Sequence, residues 1–370
     1  MSKVEETVLE INLDNLTHNY TYLKSKLDPE IRFMAVVKAA GYGSDPIVIA
    51  KHLEKLGVDY LAVVYVSEGV MLRESGIQLP ILVLHPQPVN FSLLVEHRLE
   101  PSIYSFRVLR EFILVSEKQK QKKYPIHIKF NTGLNRLGFG EGDVGRIIEE
   151  SKKTNAIKVV SLFSHLAASE DHKEKKFTVG QIRAFKKIGT EMSNMLEYRP
   201  LMHQSNTSGI LNYPEAHFDM VRTGIGLYGY GNEAKYDDQL KPVASLKSII
   251  SQIHTLEKGE TLGYNRAFIA PKNTRTATIP IGHADGIARY YGNKKGFVTI
   301  QNKKAFIIGN VCMDMIMVDI TNIECNEGDE VIIFGDNTSA VTVAENGGTI
   351  SYELLTAISP RVKRIIIDKN

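Results

Sequence analysis

The sequence predicts an α/β chain: a (β/α)8 TIM-type barrel followed by a C-terminal, mostly-β domain. Three observations carry that prediction. From about Ile31 to Tyr230 short β-prone runs alternate with amphipathic helical stretches, and the alternation counts to eight β-α units over about two hundred residues. Polar and cationic residues recur at the C-terminal ends of those runs, where barrels keep their reactive groups. Past Tyr230 the helical period gives way to short strands separated by turn residues. The expected boundaries are 8–235 for the barrel and 236–370 for the β domain, with residues 1–7 packing with the latter. An open doubly wound sheet is the rival, but no Gly-rich fingerprint follows the first strand.

In order, the segment Glu10–Leu27 reads as a helix ahead of the barrel. The barrel strands read as Phe33–Val37, Tyr60–Val64, Ile81–Leu84, Glu100–Tyr104, Ile126–Phe130, Val159–Ser164, Leu201–Ser205 and Phe218–Val221. Helices between them include Pro46–Leu56, Glu68–Glu74, Ser105–Glu117 and Glu174–Leu196; Asp45-Pro46 places a capping residue before a proline at the first helical position. The β domain reads as Leu246–Ile253, Arg275–Ile281, Gly296–Ile300, Lys304–Asn310, Ile316–Ile320 and Glu330–Phe334, then a helix Ser351–Ser359 and a short apolar tail. Turns fall at Lys258-Gly259-Glu260, Gly292-Asn293 and Glu327-Gly328-Asp329.

Composition excludes several classes of function. A net charge of +3 on 370 residues does not mark a nucleic-acid or acidic-membrane binder. Cys312 and Cys325 make neither a disulfide framework nor a paired zinc motif, so no metal is expected. No signal-peptide pattern opens the chain and no apolar run approaches membrane length, so the expected place of action is the cytoplasm.

The chemistry is read from the strand ends. Lys38 closes the apolar run Phe33-Met34-Ala35-Val36-Val37 and opens into Ala39-Ala40-Gly41-Tyr42-Gly43-Ser44. A lysine at the inner end of a buried strand must meet an anion or lose its charge. Neutral, it is a nucleophile toward aldehydes, which is the chemistry of pyridoxal phosphate (PLP). An ordinary snorkelling lysine is the competing reading. Strand three ends at His85, and strand five runs from Lys129 through Asn131-Thr132-Gly133 to Arg136. Strand six ends at His165, strand seven leads into Asn206-Thr207-Ser208 and strand eight into Arg222-Thr223-Gly224-Ile225-Gly226. Small residues after strands seven and eight sit where barrels commonly bind phosphate through backbone N–H groups.

Together these motifs resemble the alanine racemases, over essentially the whole length. The strongest pieces are Ala35-Val36-Val37-Lys38-Ala39-Ala40-Gly41-Tyr42-Gly43, Asn131-Thr132-Gly133-Leu134-Asn135-Arg136-Leu137-Gly138-Phe139 and Leu162-Phe163-Ser164-His165. Arg222-Thr223-Gly224-Ile225-Gly226-Leu227-Tyr228-Gly229, Gly282-His283-Ala284-Asp285-Gly286, Val311-Cys312-Met313-Asp314 and Ser351-Tyr352-Glu353 follow in the right order. Any one alone is weak; the ordered set is specific.

The resemblance implies PLP-dependent interconversion of L- and D-alanine by two bases, supplying D-alanine for peptidoglycan. It makes Lys38 the cofactor lysine and one base, and Tyr264 the other, with His165, also a cofactor-binding residue, beside it. It puts Arg222 at the pyridine nitrogen, the phosphate on Tyr42, Ser208, Thr207, the backbone of Gly224 and Ile225, and Tyr352, and Asn206 among the cofactor-binding residues. Arg136 and Met313 resemble substrate-carboxylate contacts, Asp314 a supporting residue, and Lys129 a lysine carbamylated in many relatives (N6-carboxylysine). The partner it implies is a second copy of the chain, in a homodimer with shared active sites.

Departures from the family pattern are Ala40-Gly41 and Ser44 in the lysine motif, Asn131 for aspartate, Thr207 for serine, Thr223 for proline and His283 for a corridor tyrosine. The nearest alternative is a racemase for broader or basic amino acids on the same fold. A diaminopimelate- or ornithine-type decarboxylase and a non-catalytic PLP carrier fit less well. The first needs a Gly-Gly-Gly phosphate loop in the barrel; the second lacks a β domain.

Overall fold

The computed structural model describes residues 6–335 and 338–368. The chain divides into two compact units: residues 17–41 with 46–240, and residues 6–16, 42–45 and 241–368.

The first unit is the barrel. Its eight parallel strands are Arg32–Val36, Tyr60–Val63, Ile81–Val83, Glu100–Ile103, Tyr124–Lys129, Ile157–Phe163, Leu201–His203 and Met220–Thr223. The first pairs with the second and with the last, with Phe33 opposite Val221 and Ala35 opposite Thr223. Closure comes from Met202 and Ser205 carbonyls, which accept from the N–H groups of Asp219 at 3.0 Å and Arg222 at 3.1 Å. These strands are mostly buried and mostly apolar because helices cover the outside and side chains fill the inside. Helices Pro46–Lys55, Val66–Glu74, Phe106–Lys118 and Lys175–Leu196 stand where periodicity predicts them, within a residue or two at each end. Ser105 caps its helix by accepting from Val108 N–H at 3.3 Å.

The second unit is mostly β. A six-stranded sheet runs in the order Lys303–Phe306, Phe297–Ile300, Glu330–Phe334, Ala244–Ile249, Val8–Asn12, Lys363–Ile367. A three-stranded sheet comprises Gln252–Leu256, Thr274–Ile279 and Ile316–Asp319. Three sequence expectations change here. Glu10–Leu27 is not one helix. Val8–Asn12 is a strand between Ala244–Ile249 and Lys363–Ile367, and the helix starts at Leu13, with Asn12 Oδ1 accepting from Asn15 N–H at 3.0 Å. The alternation of Leu9 and Ile11 with polar neighbours finds a half-buried sheet, and tertiary pairing overrides helix propensity. The run Leu246–Ile253 is two strands in different sheets, and the apolar tail is an edge strand. The helix Ala340–Asn346 was not foreseen.

Residues 42–45, although next to the first barrel strand in sequence, group with the β unit. Arg364 donates to the carbonyls of Gly43 at 2.9 Å and Ser44 at 3.2 Å. A Cβ on Gly43 would fall 2.0 Å from the Leu355 carbonyl oxygen, so only glycine fits there.

Candidate active site

Lys38 sits at the mouth of the barrel, where the first strand ends. The chain then makes one left-handed turn: φ is 53° at Ala39, 55° at Ala40, 63° at Gly41 and 53° at Tyr42. Each non-glycine residue in that region costs about 1–2 kcal/mol, so the surroundings must impose the turn. They do so at both ends. Gly41 N–H donates to the Val37 carbonyl at 3.1 Å, and a Cβ on Gly41 would lie 3.2 Å from Pro46 backbone atoms. Glu68, in the first turn of the helix Val66–Glu74, accepts from Ala39 N–H at 2.7 Å through Oε1. Its Oε2 accepts from Val64 N–H at 2.7 Å and Tyr65 N–H at 3.1 Å. Sequence reasoning missed Glu68; a carboxylate in the first turn of a helix that follows a strand was the available signal.

Around Lys38 the barrel mouth is rich in positive charge. Burial, then Arg136, lower the Lys38 amine below the ordinary lysine range, with Glu68 opposing. Burial pulls Lys129 down to about 8, with Arg136, Arg222 and Lys38 adding in that order. Its ammonium lies 5.6 Å from the centre of the Phe163 ring. His165 is driven well below the usual histidine range by burial first and then by Arg222, Arg136, Lys129 and Lys38, so its imidazole is neutral. Arg222 is buried, and burial pulls it down to about 9, which leaves it charged at neutral pH. The guanidinium donates to the carbonyls of Ser164 at 2.6 Å, His203 at 3.0 Å and Gln204 at 3.1 Å. It also reaches His203 Nδ1 at 2.6 Å and His165 Nδ1 at 3.2 Å. Because arginine only donates, both imidazole Nδ1 atoms are acceptors, and His165 carries its proton on Nε2.

The loop from Asn131 to Phe139 presents Arg136. Asn131 Oδ1 accepts from Gly133 N–H at 3.1 Å and Asn135 N–H at 2.9 Å, and its amide donates to Asn135 Oδ1 at 2.8 Å. Replacing the family aspartate by this amide therefore keeps the loop closed while taking a negative charge away. After the seventh strand, Asn206 Oδ1 accepts from Gly209 N–H at 2.8 Å and caps the short helix Thr207–Asn212. Thr207 Oγ1 accepts from Gly226 N–H at 3.2 Å and lies 3.0 Å from Thr223 Oγ1. Two of the departures from the family pattern thus bond to each other. Ser208 Oγ accepts from Asn232 at 3.1 Å, and the Gly224 and Ile225 carbonyls accept from Leu227 at 2.8 Å and Tyr228 at 3.0 Å. A Cβ on Gly226 would come within 2.6 Å of Thr207, so the backbone packs tightly there.

The β unit carries the remaining candidates. The rings of Tyr42 and Tyr352 lie 6.2 Å apart, and burial, then Tyr352, push the Tyr42 phenol up. Tyr264 is 74% exposed at a turn opened by Gly263 at φ 76°, with Asn310 donating to its carbonyl at 3.2 Å. It lines an open groove with His254, Leu256, Leu262, Cys312 and Met317. Met313 is exposed, and its carbonyl accepts from Ala284 N–H at 3.0 Å. Asp314 pairs with Arg361 at 2.7 Å, and the same guanidinium pairs with Asp285 at 2.6 Å. His283 is exposed on the adjoining turn.

PLP fits the donor set at the barrel mouth. A lysine lowered toward neutrality suits its aldehyde, a buried arginine suits a ring nitrogen, and an excess of cations suits a phosphate and a carboxylate. The tight Thr207–Gly226 backbone offers the shape that phosphate cradles use. Fold and donor set together define the class: a PLP-dependent barrel enzyme with an appended β domain. The family models for the alanine racemase N-terminal and C-terminal domains match residues 11–232 and 243–366. The chain is 36% identical to alanine racemase 2 of Caldanaerobacter subterraneus subsp. tengcongensis, over 99% of this chain and 96% of the relative. It is 37% identical to the alanine racemase of Clostridium novyi, over 97% and 94%. Among solved structures, the Clostridium difficile alanine racemase superposes with a TM-score of 0.91 at 35% identity, covering 99% of this chain and 96% of that one. The Bartonella henselae alanine racemase with covalently bound PLP gives 0.90 at 28%, covering 98% and 99%. The chain belongs to the alanine racemase family, whose members are PLP-dependent isomerases.

Proposed function

We propose that this chain interconverts L- and D-alanine with PLP on Lys38, using Lys38 and Tyr264 as the two bases. The observation that carries the reading is the half-buried, cation-crowded Lys38 on a left-handed turn held by Glu68. When bound, PLP withdraws electrons from the substrate and makes its Cα–H acidic. The neutral Lys38 amine removes or returns a proton on one face of Cα. The Tyr264 phenol does so on the other, and inversion follows because the proton leaves and arrives on opposite sides. His165, neutral with its proton on Nε2, is a donor that stabilises the phenolate form of Tyr264.

With the cofactor bound, Arg222 would donate to its pyridine nitrogen; a reluctant acid, it would not give up its proton there, which would restrain side reactions. Arg136 takes the substrate carboxylate, with the Met313 backbone opposite and Asp314 holding that loop. Tyr42, Ser208, the backbone of Gly224 and Ile225, and Tyr352 would hold the phosphate. The Asn206 side chain and the Thr207 hydroxyl shape that cradle through Gly209 and Gly226. Lys129, pulled down to about 8 among cations, is the site of carbamylation that gives Arg136 an anionic partner. A high-resolution density map showing a bare ammonium there counts against it. Two copies assemble as a homodimer, in which Tyr264 and Met313 of one chain complete the partner's barrel mouth. The enzyme acts in the cytoplasm and feeds D-alanine to peptidoglycan.

Borohydride reduction of the holoenzyme, then proteolysis and mass spectrometry, tests the assignment. The pyridoxyl group is expected on Lys38; finding it on another lysine overturns the site. A broader amino-acid racemase is the second reading, favoured by exposed His283 and Arg289. Comparing kcat/KM for alanine, serine, lysine and arginine separates the two.

A further inference from the structure

Behind Arg222 the barrel interior holds a line of polar side chains that no step above uses. Arg222 Nη1 lies 2.6 Å from His203 Nδ1, and His203 Nε2 lies 3.0 Å from Ser161 Oγ. Ser161 Oγ lies 2.5 Å from His127 Nδ1, and His127 Nε2 lies 2.6 Å from Glu100 Oε2. His203, Ser161 and His127 are fully buried, and the Glu100 side chain is 13% exposed. With Arg222, the residues come from five neighbouring barrel strands, so the line steps from strand to strand rather than running along one element.

The chemistry of the two ends sets its direction. Arginine only donates, so His203 Nδ1 accepts and its proton rests on Nε2. That N–H donates to Ser161, the serine hydroxyl donates to His127 Nδ1, and His127 Nε2–H donates to a carboxylate that only accepts. Every group uses one donor and one acceptor, both ends demand the same direction, and a cation at one end faces an anion at the other. Such aligned chains polarise and reinforce one another in a low-dielectric interior. Phe163 stacks flat on the His203 ring, centroids 5.0 Å apart and planes 4° from parallel, and fixes its plane.

We propose that Ser161, His127 and Glu100 are positioning residues for Arg222, locking His203 as its acceptor so that the guanidinium is held in register with the pyridine nitrogen. This rests on the reading that Arg222 meets that nitrogen. Cutting the line at Ser161 strands a buried imidazole N–H. It also frees His203 to carry its proton on Nδ1, where it would oppose Arg222 rather than accept from it.

The test uses the full chain as wild type, Ser161→Ala, Ser161→Thr and Glu100→Gln. NMR of isotope-labelled histidines, without cofactor, is expected to show Nε2–H tautomers at His203 and His127 in the wild type and a changed His203 in Ser161→Ala. With PLP bound, Ser161→Ala is expected to lower kcat for alanine about tenfold with KM within about twofold. It should also alter the visible spectrum of the cofactor and raise the yield of its aminated side product. Ser161→Thr, which keeps the hydroxyl, should recover kcat and spectrum, and Glu100→Gln should move both in the direction of Ser161→Ala. An Nδ1–H tautomer at wild-type His203 overturns the proposal. So do Ser161→Ala and Glu100→Gln chains with wild-type kcat and spectrum and only a lowered Tm, because the line is then structural. A wild type that does not racemise alanine defeats the functional reading instead, and the histidine tautomers still decide the hydrogen-bond line.

Discussion

At the scale of single residues, opposite demands meet at Lys38 and Arg222. The proposed mechanism has Lys38 uncharged, and burial with Arg136 beside it favours that. Arg222 has to stay charged in a fully buried place, and three carbonyls and two imidazoles hold it. Arg222→Glu is expected to lower the racemisation kcat at least a hundredfold, on the order of 3 kcal/mol, and to raise transamination, since an acid can protonate the ring nitrogen. Unchanged partition between the two reactions, measured by product analysis, would sink the restraint argument. The buried imidazoles also make a pH signature. His165 and His203 are both held below the usual value of about 6.5, so the unfolded chain takes up protons that the folded one refuses. Stability is complete above about pH 6.5 and falls below it, by about 1.4 kcal/mol per pH unit for each histidine. Thermal melts between about pH 7 and about pH 5 should show this, with a shallower slope in His203→Gln. The positions of Lys38, His165 and Arg222 at strand ends, and of Arg136 in the loop that follows Lys129, match the sequence reading because each lies beside a small-residue motif. The bonding of Thr207 to Thr223 and Gly226 could not be read from the sequence, since nothing local links positions 207, 223 and 226.

At the scale of elements, the turn after the first barrel strand matters most. Gly41 announced an unusual backbone, but the left-handed φ of Ala39, Ala40 and Tyr42 has no signature in residues that ordinarily avoid it. The turn is imposed from elsewhere, chiefly by Glu68 from the next β-α unit. Glu68→Ala is expected to destabilise the protein by about 2–4 kcal/mol, since it orphans three N–H groups and releases a strained turn. It should also lower kcat by more than it raises KM, because Lys38 loses its fixed position. A Glu68→Ala variant with wild-type Tm and kcat would show that the turn holds itself. The eight barrel strands were recoverable because their residues are mostly buried and mostly apolar, in short runs set between helical stretches. Val8–Asn12 and Lys363–Ile367 were not, because a strand whose partners lie more than two hundred residues away looks locally like a helix start or a tail.

At the scale of the molecule, the β unit is assembled from three stretches of chain, and its first strand is an interior strand of its largest sheet, joining Ala244–Ile249 to the edge strand Lys363–Ile367. Deleting residues through Asn12 should therefore unfold the β unit rather than trim a tail, which circular dichroism and loss of cooperative melting would report. In the proposed homodimer, Tyr264 and Met313, both exposed on the β unit, serve the barrel of the partner copy. Mixing Lys38→Ala with Tyr264→Phe chains should restore about a quarter of wild-type activity, since half the dimers are mixed and each has one intact site. No recovery after confirmed subunit exchange would contradict shared sites.

The most direct test is to follow L-alanine in deuterated water with the PLP-loaded chain. Optical rotation should decay to zero while one solvent deuterium enters Cα, and both should vanish in Lys38→Ala. Rotation that stays constant in a wild-type chain carrying full PLP would contradict the account.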